Sequence, residues 1–201
     1  MTTDFCSSSI IEETLKYCSS RHNHFVAYFY ISFNDSEKQR PENIVRSLLH
    51  QLTSRQSSIP DTLLDLYKQH KNTAPPVNVW LAALRLVLDR SGEIFIIIDA
   101  LDECPVRMGE REELLKGLVA VKDFNLPNLH LLVTSRREVD ISKTLSHILT
   151  EPPFGIQNSE VDQDIQIHVR SEVTNNPKLS KWPHSIREEI EKELVHGCHG
   201  M

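Results

Sequence analysis

The chain has 201 residues, of which 39% are hydrophobic and 25% are charged, which is typical of one globular domain, or of one domain and a small additional piece. The net charge of −6 argues against a general nucleic-acid binder, which needs a basic surface. The four cysteines form no C-x-x-C pair, and no apolar run approaches the roughly 20 residues that cross a bilayer. The N-terminus lacks the basic and apolar regions of a signal peptide, so we predict a cytoplasmic protein with reduced thiols and no membrane partner.

Strand-like and helix-like patterns alternate along the chain. Buried strands are predicted at 25–31, which is rich in β-branched and aromatic residues, at 94–98, which is an apolar run, and at 129–135, where LHLLVTS follows the turn LPN. Helices are predicted where apolar residues recur every three or four positions: 7–18, from Pro41, from Pro60, 78–89, 110–121, 139–145, 160–174 and 184–196. A brief apolar stretch, SHILT, follows the short helix, and EPPFG is predicted to be a linker.

The continuous apolar strands decide the predicted fold class. Strands of this kind, separated by helices, are typical of an α/β fold with a parallel sheet that is covered on both faces. Ligands of such sheets bind beyond the carboxyl ends of the strands. Asp99 follows the strand at 94–98 directly, and Arg136 follows the strand at 129–135. We therefore expect both residues at the ligand-binding edge.

Three acids, Asp99, Asp102 and Glu103, follow the apolar run in the stretch IFIIIDALDEC at residues 94–104. One interpretation is a solvated loop after a buried strand. The other is a site for Mg²⁺ and a nucleotide phosphate, because Mg²⁺ prefers oxygen ligands and needs only one or two carboxylates beside phosphates and waters. Under that interpretation Asp99 binds the metal, a second acid orients a water molecule, and the planar guanidinium of Arg136 suits phosphate oxygens.

Four stretches carry a family resemblance in order and spacing: VAYFYISFNDSEKQRPENIVRSLLHQL, IFIIIDALDEC, LHLLVTSRRE and EVDQDIQIHV. Together they resemble the nucleotide-binding NACHT domain of STAND signalling ATPases, and most closely the nephrocystin-like N-terminal type found in fungal NOD-like receptor proteins. The resemblance covers roughly residues 7 to 201. It implies a P-loop NTPase-type three-layer fold, with a partial NACHT core at 1–155 and the start of a helical lid at 156–201.

The resemblance also implies roles for individual residues. Asp99 resembles the Walker B aspartate that holds Mg²⁺ through water, and Asp102 and Glu103 resemble the acids that activate the attacking water. Arg136 resembles the sensor arginine that contacts the γ-phosphate. The implied cofactors are ATP and Mg²⁺. The family often has glycine where Ala100 stands, which is a mild departure.

The phosphate-binding loop G-x-x-x-x-G-K-[ST] is missing from the sequence, since none of the six glycines is followed by lysine. Residues 7–18 resemble the helix that follows this loop, so the first strand is expected to be missing as well. In the family that strand lies between the strand at 129–135 and one near 147–150. Its loss predicts an incomplete sheet in a chain that is poorly stable, closes the gap, or borrows a strand from a partner.

Three functions remain open at this stage. The first is an impaired nucleotide switch that keeps weak ATP binding through Asp99 and Arg136. The second is a non-catalytic module that binds itself or intact NACHT relatives through its exposed sheet edge. The third is a truncated gene product without a function, cut from a larger protein.

Overall fold

The computed structural model describes residues 2–55, 61–70, 75–155 and 159–198. The chain forms two compact units, Met1–Ile148 and Leu149–Met201. The predicted boundary at 155/156 adjoins residues 156–158, which lie outside the described residues. None of the described helices is both long enough and apolar enough to span a membrane.

Three parallel strands form the centre of the first unit. They are β1 (His24–Tyr30), β2 (Glu93–Asp99) and β3 (Leu129–Val133), in the order β1-β2-β3. The register pairs Tyr30 with Asp99, and Ile98 with Val133, so the carboxyl ends of all three strands meet at one edge. The three predicted strands are confirmed, with ends that shift by one or two residues.

Helices cover both faces of this sheet, which confirms the predicted α/β class with three layers. Helix α1 (Thr2–Ser19) packs on one face against β1 and β2. The opposite face of the sheet contacts the main core. The later helices of this unit all contribute residues to that core, and they are α2 (Pro41–Thr53), α3 (Asp61–Gln69), α4 (Val77–Asp89), α5 (Glu110–Asp123) and α6 (Val139–Ile148). Proline is the first residue of α2, where its missing N–H costs nothing.

The alternation of side chains along each strand explains why the sheet contacts a separate hydrophobic cluster on each of its two faces. In β2, Ile94, Ile96 and Ile98 belong to the main core, whereas Ile97 packs with Ile11 of α1 in a smaller cluster. Because side chains alternate between the two faces of a strand, Asp99 lies on the same face as Ile97, towards α1. The strand thus delivers its terminal carboxylate to the α1 side of the sheet.

One expectation from the sequence is wrong in detail. The stretch SHILT does not form a strand near 147–150, because α6 continues to Ile148. Ile141 and Ile148 are both buried and lie seven residues apart, which is two helical turns, so helical packing accounts for the apolar residues of this stretch. In α1, the side chains of Ile11 and Cys18 are buried, whereas that of Ile10 is exposed.

The second unit contains two helices in the described residues. They are α7 (Ser159–Asn175) and α8 (His184–Cys198), which pack against each other. Both were expected from the sequence, and both extend one or two residues beyond the predicted ends. Val173 of α7 is buried, whereas Ile167 of the same helix is exposed.

Candidate functional site

Asp99 is a buried carboxylate at the carboxyl end of β2, with 1% of its surface exposed. Its Oδ1 accepts hydrogen bonds from the hydroxyl of Ser7 in α1 and from the hydroxyl of Thr134 just after β3, the second at 2.5 Å. The backbone carbonyl of Asp99 accepts the N–H of Ile31 at 3.2 Å. A buried carboxylate is costly unless it is hydrogen-bonded, and these hydroxyls satisfy that requirement from two different elements.

The chain turns sharply directly after Asp99. Ala100 has φ 59° and ψ 55°, a left-handed conformation, and a 3-10 helix follows at Leu101–Glu103. The segment after β3 fixes this turn, because Thr134 accepts the N–H of Ala100 on its hydroxyl at 3.0 Å and the N–H of Leu101 on its carbonyl at 3.0 Å. Thr134 therefore binds Asp99 and the turn that follows it at the same time.

Asp102 pairs with Arg136 across the edge of the sheet. Asp102 Oδ1 accepts the backbone N–H of Arg136 at 2.9 Å, and its Oδ2 lies 3.5 Å from Arg136 Nε. The side chain of Asp102 is 11% exposed, whereas that of Arg136 is 72% exposed. The carboxylate is thus fixed in place, while the guanidinium extends into solvent and is free to exchange partners.

Glu103 contacts the segment that follows β1. Its Oε2 accepts the backbone N–H of Phe33 at 3.0 Å. The three acids therefore contact the segments that follow each neighbouring strand: Asp99 and Asp102 contact the segment after β3, and Glu103 contacts the segment after β1. This arrangement holds the acidic loop over the middle of the sheet edge.

Arg111 is a buried cation behind the acidic loop, in the first turn of α5. Its Nε donates to the carbonyl of Cys104 at 2.7 Å, and its Nη2 donates to the carbonyl of Asp102 at 2.6 Å. Its Nη1 lies 3.8 Å from Glu138 Oε2 and 3.6 Å from Asp140 Oδ2. One guanidinium therefore connects the loop after β2 to the start of α6.

The structure brings all four residues predicted from the sequence to one edge of the sheet, namely Asp99, Asp102, Glu103 and Arg136. Their roles in binding or catalysis remain predictions. Sequence reasoning did not single out Ser7, Thr134 and Arg111. Ser7 lies within a run of three serines, so its neighbours carry the same signal. Thr134 had a usable signal, because it lies at the carboxyl end of the predicted strand 129–135, two residues before Arg136.

The side chains at this edge that could hold a metal ion are carboxylates. Asp99, Asp102 and Glu103 are hard carboxylate ligands, which Mg²⁺ prefers. Among the described residues, no group of three or more His, Cys, Asp or Glu side chains is placed to hold a metal ion by itself. Within that part of the chain, the carboxylates at this edge do not form a self-sufficient metal centre.

Comparison with known proteins places the chain in a family. The family described as "Nephrocystin 3, N-terminal" matches residues 4–136, which is more than half of the sequence. The chain belongs to the nephrocystin 3 N-terminal family. This membership confirms the resemblance to nephrocystin-like domains for the sequence stretches that begin within residues 4–136. The fourth stretch, EVDQDIQIHV at 160–169, lies outside the matched region, so its resemblance stays a prediction. The matched region of the nephrocystin 3 N-terminal family ends at Arg136 and contains Asp99, Asp102 and Glu103.

Two further comparisons add little to the family assignment. No curated protein matches the chain. Among solved structures, the chain is similar to one in "Structure of Drosophila ORC bound to AT-rich DNA and Cdc6", with 14% sequence identity and a TM-score of 0.25. That alignment covers 96% of this chain and 78% of the other. A TM-score of this size supports no argument about the fold or function of this nephrocystin 3 N-terminal domain.

Proposed function

We propose that the chain is a NACHT-type nucleotide-switch domain whose edge at Asp99 binds Mg²⁺–ATP weakly and hydrolyses it slowly or not at all. One observation carries the proposal: Asp99 ends a buried strand, with Asp102 and Arg136 paired beside it across the carboxyl edge of a parallel sheet. Ligands of open α/β sheets bind at this edge. Membership in the nephrocystin 3 N-terminal family supports the proposal independently.

Each residue has a definite task in this proposal. Asp99 would hold Mg²⁺ through a water molecule, and the bound ion would neutralise the charge on the phosphates. Asp102 and Glu103 would orient the attacking water, since carboxylates accept its protons. Arg136 would contact the γ-phosphate, because an exposed ion pair of 3.5 Å is weak enough to exchange for a phosphate oxygen.

A missing sequence motif and the burial of Asp99 explain why the proposed affinity for Mg²⁺–ATP is low. The sequence contains no G-x-x-x-x-G-K-[ST], so no loop of backbone N–H groups with a lysine is present to bind the β- and γ-phosphates. Asp99 also has little access to solvent, and two hydroxyls already donate to its Oδ1. The chain therefore has carboxylates that could bind the metal ion, but it lacks the loop that binds the phosphates in such sites.

A titration of the full chain with Mg²⁺–ATP tests this proposal, read by calorimetry and by the amide NMR signal of Arg136. We expect saturable binding with a Kd weaker than about 100 μM, loss of that binding in Asp99→Ala, and unchanged binding in Asp89→Ala. Asp89 is an exposed aspartate at the end of α4 and serves as the matched control. The nucleotide proposal is wrong if wild type and Asp99→Ala bind Mg²⁺–ATP equally, or if a folded wild type does not bind it. A Kd far below about 100 μM would contradict only the proposed impairment of binding.

A second candidate function is an interaction module, and the outer edge of β3 favours it. In the described part of the chain, β3 pairs with β2 on one side and with no strand on the other. Edge strands of this kind add strands from other chains, and β3 carries neither proline nor a lysine that would oppose such pairing. The occupant we propose is a second copy of this chain. Sedimentation velocity over a range of concentrations tests it, and a monomer at all concentrations would rule out self-pairing.

A further inference from the structure

We propose that Arg111 is the positioning residue of the acidic loop, and that it holds Asp102 and Glu103 in register with the segment that carries Arg136. The proposal takes its functional meaning from the nucleotide site proposed above, but the geometry on which it rests is independent of any nucleotide. Arg111 touches none of the groups expected to meet a ligand. It acts on them through the backbone of the loop to which they belong.

The burial of Arg111 and its position at the start of α5 are both energetically unfavourable for a cation without partners. The first turn of α5 is otherwise acidic, with Glu110, Glu112 and Glu113, which suits the positive end of the helix dipole. A cation at this position opposes that dipole, and arginine is almost never fully buried unless it is paired. The side chain of Arg111 is only 9% exposed. Its contacts must therefore compensate for both costs.

The compensation comes from the loop after β2. The planar guanidinium donates two short hydrogen bonds, to the carbonyls of Asp102 and Cys104, which lie on either side of Glu103. The backbone N–H of Arg111 also donates to the carbonyl of Pro105 at 3.2 Å. Two carbonyls bound by one rigid fork fix the direction of the peptide that carries Glu103, which a single flexible donor cannot do.

The remaining contacts tie the loop to the neighbouring segment. Glu138 and Asp140 lie within 4 Å of Nη1, and both follow Arg136 closely in the chain. Arg136 in turn contacts Asp102 through its backbone N–H and its side chain. Arg111 thus closes a ring of contacts that runs from Asp102 through Arg136 and Glu138 back to the carbonyl of Asp102. The position of Asp102 relative to Arg136 depends on that ring.

Two backbone amides report directly on whether the acids are in place. The N–H of Arg136 donates to Asp102, and the N–H of Phe33 donates to Glu103. Their proton chemical shifts and their exchange rates can be followed by NMR in the full chain without any ligand. Asp102→Ala and Glu103→Ala, made one at a time, identify the part of each signal that arises from the carboxylate.

The decisive variants are Arg111→Lys, which keeps the charge but loses the fork, and Arg111→Met, which loses both. Arg107→Lys is the matched control, because Arg107 is exposed and lies four residues earlier in the same connection. We expect the amides of Arg136 and Phe33 to shift upfield and to exchange at least about tenfold faster in Arg111→Lys. The amides of the central strand β2 should keep their protection in that variant, and Arg107→Lys should leave all of them unchanged.

The outcomes separate positioning from general stability and from nucleotide binding. If all amides, including those of β2, lose protection in proportion, Arg111 supports only the global fold and the proposal is wrong. It is equally wrong if the two reporter amides keep their wild-type signals in Arg111→Lys. If the reporters respond but the wild type binds no ATP, the positioning role stands and the proposed function fails. If wild type binds ATP, Arg111→Lys should weaken that binding at least about threefold.

Discussion

Ala100 has a backbone conformation that alanine adopts reluctantly. Its φ of 59° places it in the left-handed region, where the Cβ atom approaches the following carbonyl at a cost of about 1–2 kcal/mol. The turn is nevertheless required, because it directs Asp102 and Glu103 towards the segments after β3 and β1. Backbone strain of this kind is characteristic of functional sites.

Replacement of Ala100 by glycine should therefore cost far less than a buried Ala→Gly change usually does. Glycine relieves the left-handed strain, but it loses one buried methyl and gains unfolded-state entropy, so the terms nearly cancel. We expect Ala100→Gly to change the free energy of unfolding by less than about 0.5 kcal/mol, whereas Ala27→Gly in β1 should cost about 1–2 kcal/mol. Urea denaturation of both variants measures this. Equal losses in the two would show that Ala100 is not strained.

Cys104 supplies a pH dependence, because burial raises the pKa of its thiol from 9.0 to about 11, with Glu110 acting in the same direction and Arg111 opposing it. Between those values the native state keeps the proton and the unfolded state loses it, so stability falls as the pH rises above 9. Relative to Cys104→Ala, the wild type should lose about 1 kcal/mol per pH unit from pH 9 to 10.5. Unfolding titrations at pH 7, 9 and 10.5 measure this, and a constant difference between the two proteins would contradict it.

At the scale of elements, β2 and β3 are joined beyond their ladder by Thr134. Its hydroxyl donates to the carboxylate of Asp99 and accepts the N–H of Ala100. Removal of that hydroxyl leaves the buried carboxyl group of Asp99 with one donor fewer and leaves the N–H of Ala100 without its partner. Losses of this kind cost about 1–3 kcal/mol, and more where a charge is involved.

We expect Thr134→Val to lower the free energy of unfolding by about 2–3 kcal/mol, because valine has the same shape but no hydroxyl. Thr144→Val is the control: the hydroxyl of Thr144 donates only to a carbonyl of its own helix, so its loss should cost less than about 0.5 kcal/mol. Thermal denaturation of the three proteins gives the comparison. A loss as small in Thr134→Val as in Thr144→Val would mean that Asp99 does not depend on this hydrogen bond.

The elements themselves could be predicted from the sequence better than their junctions could. The strands β1 and β2 are unbroken runs of β-branched and aromatic residues, and such runs suffice to locate them and the acids that follow. The end of α6 was missed because SHILT is too short for its period to distinguish a strand from a final helical turn. Ser7 was missed because it bonds to Asp99 across 92 residues of sequence, and no local pattern records that distance. Arg111 was missed because one arginine beside acids has the pattern of a solvated helix start.

At the scale of the molecule, the sheet ends in two outer strands, β1 and β3, and the exposed side of β3 matters for association. β2 is paired on both sides, whereas β3 has a neighbour only at β2 within the described residues. On the α1 face, Leu132 of β3 is 37% exposed, and His130 of β3 stacks on Phe95 instead of packing under a helix. An apolar edge strand without charged residues that interfere with pairing is a template for association.

A lysine on this strand should therefore weaken self-association without unfolding the chain. Leu132→Lys places a charge beside the free edge, where two copies would bring like charges together, and a side chain that is already partly exposed tolerates the change. We expect the association constant from sedimentation velocity to fall at least about tenfold, equivalent to about 1.4 kcal/mol. Leu86→Lys is the control, since Leu86 of α4 is exposed to a similar extent, at 40%. If both variants associate as wild type does, copies do not meet through β3, whereas a fall in both would indicate a general effect of charge.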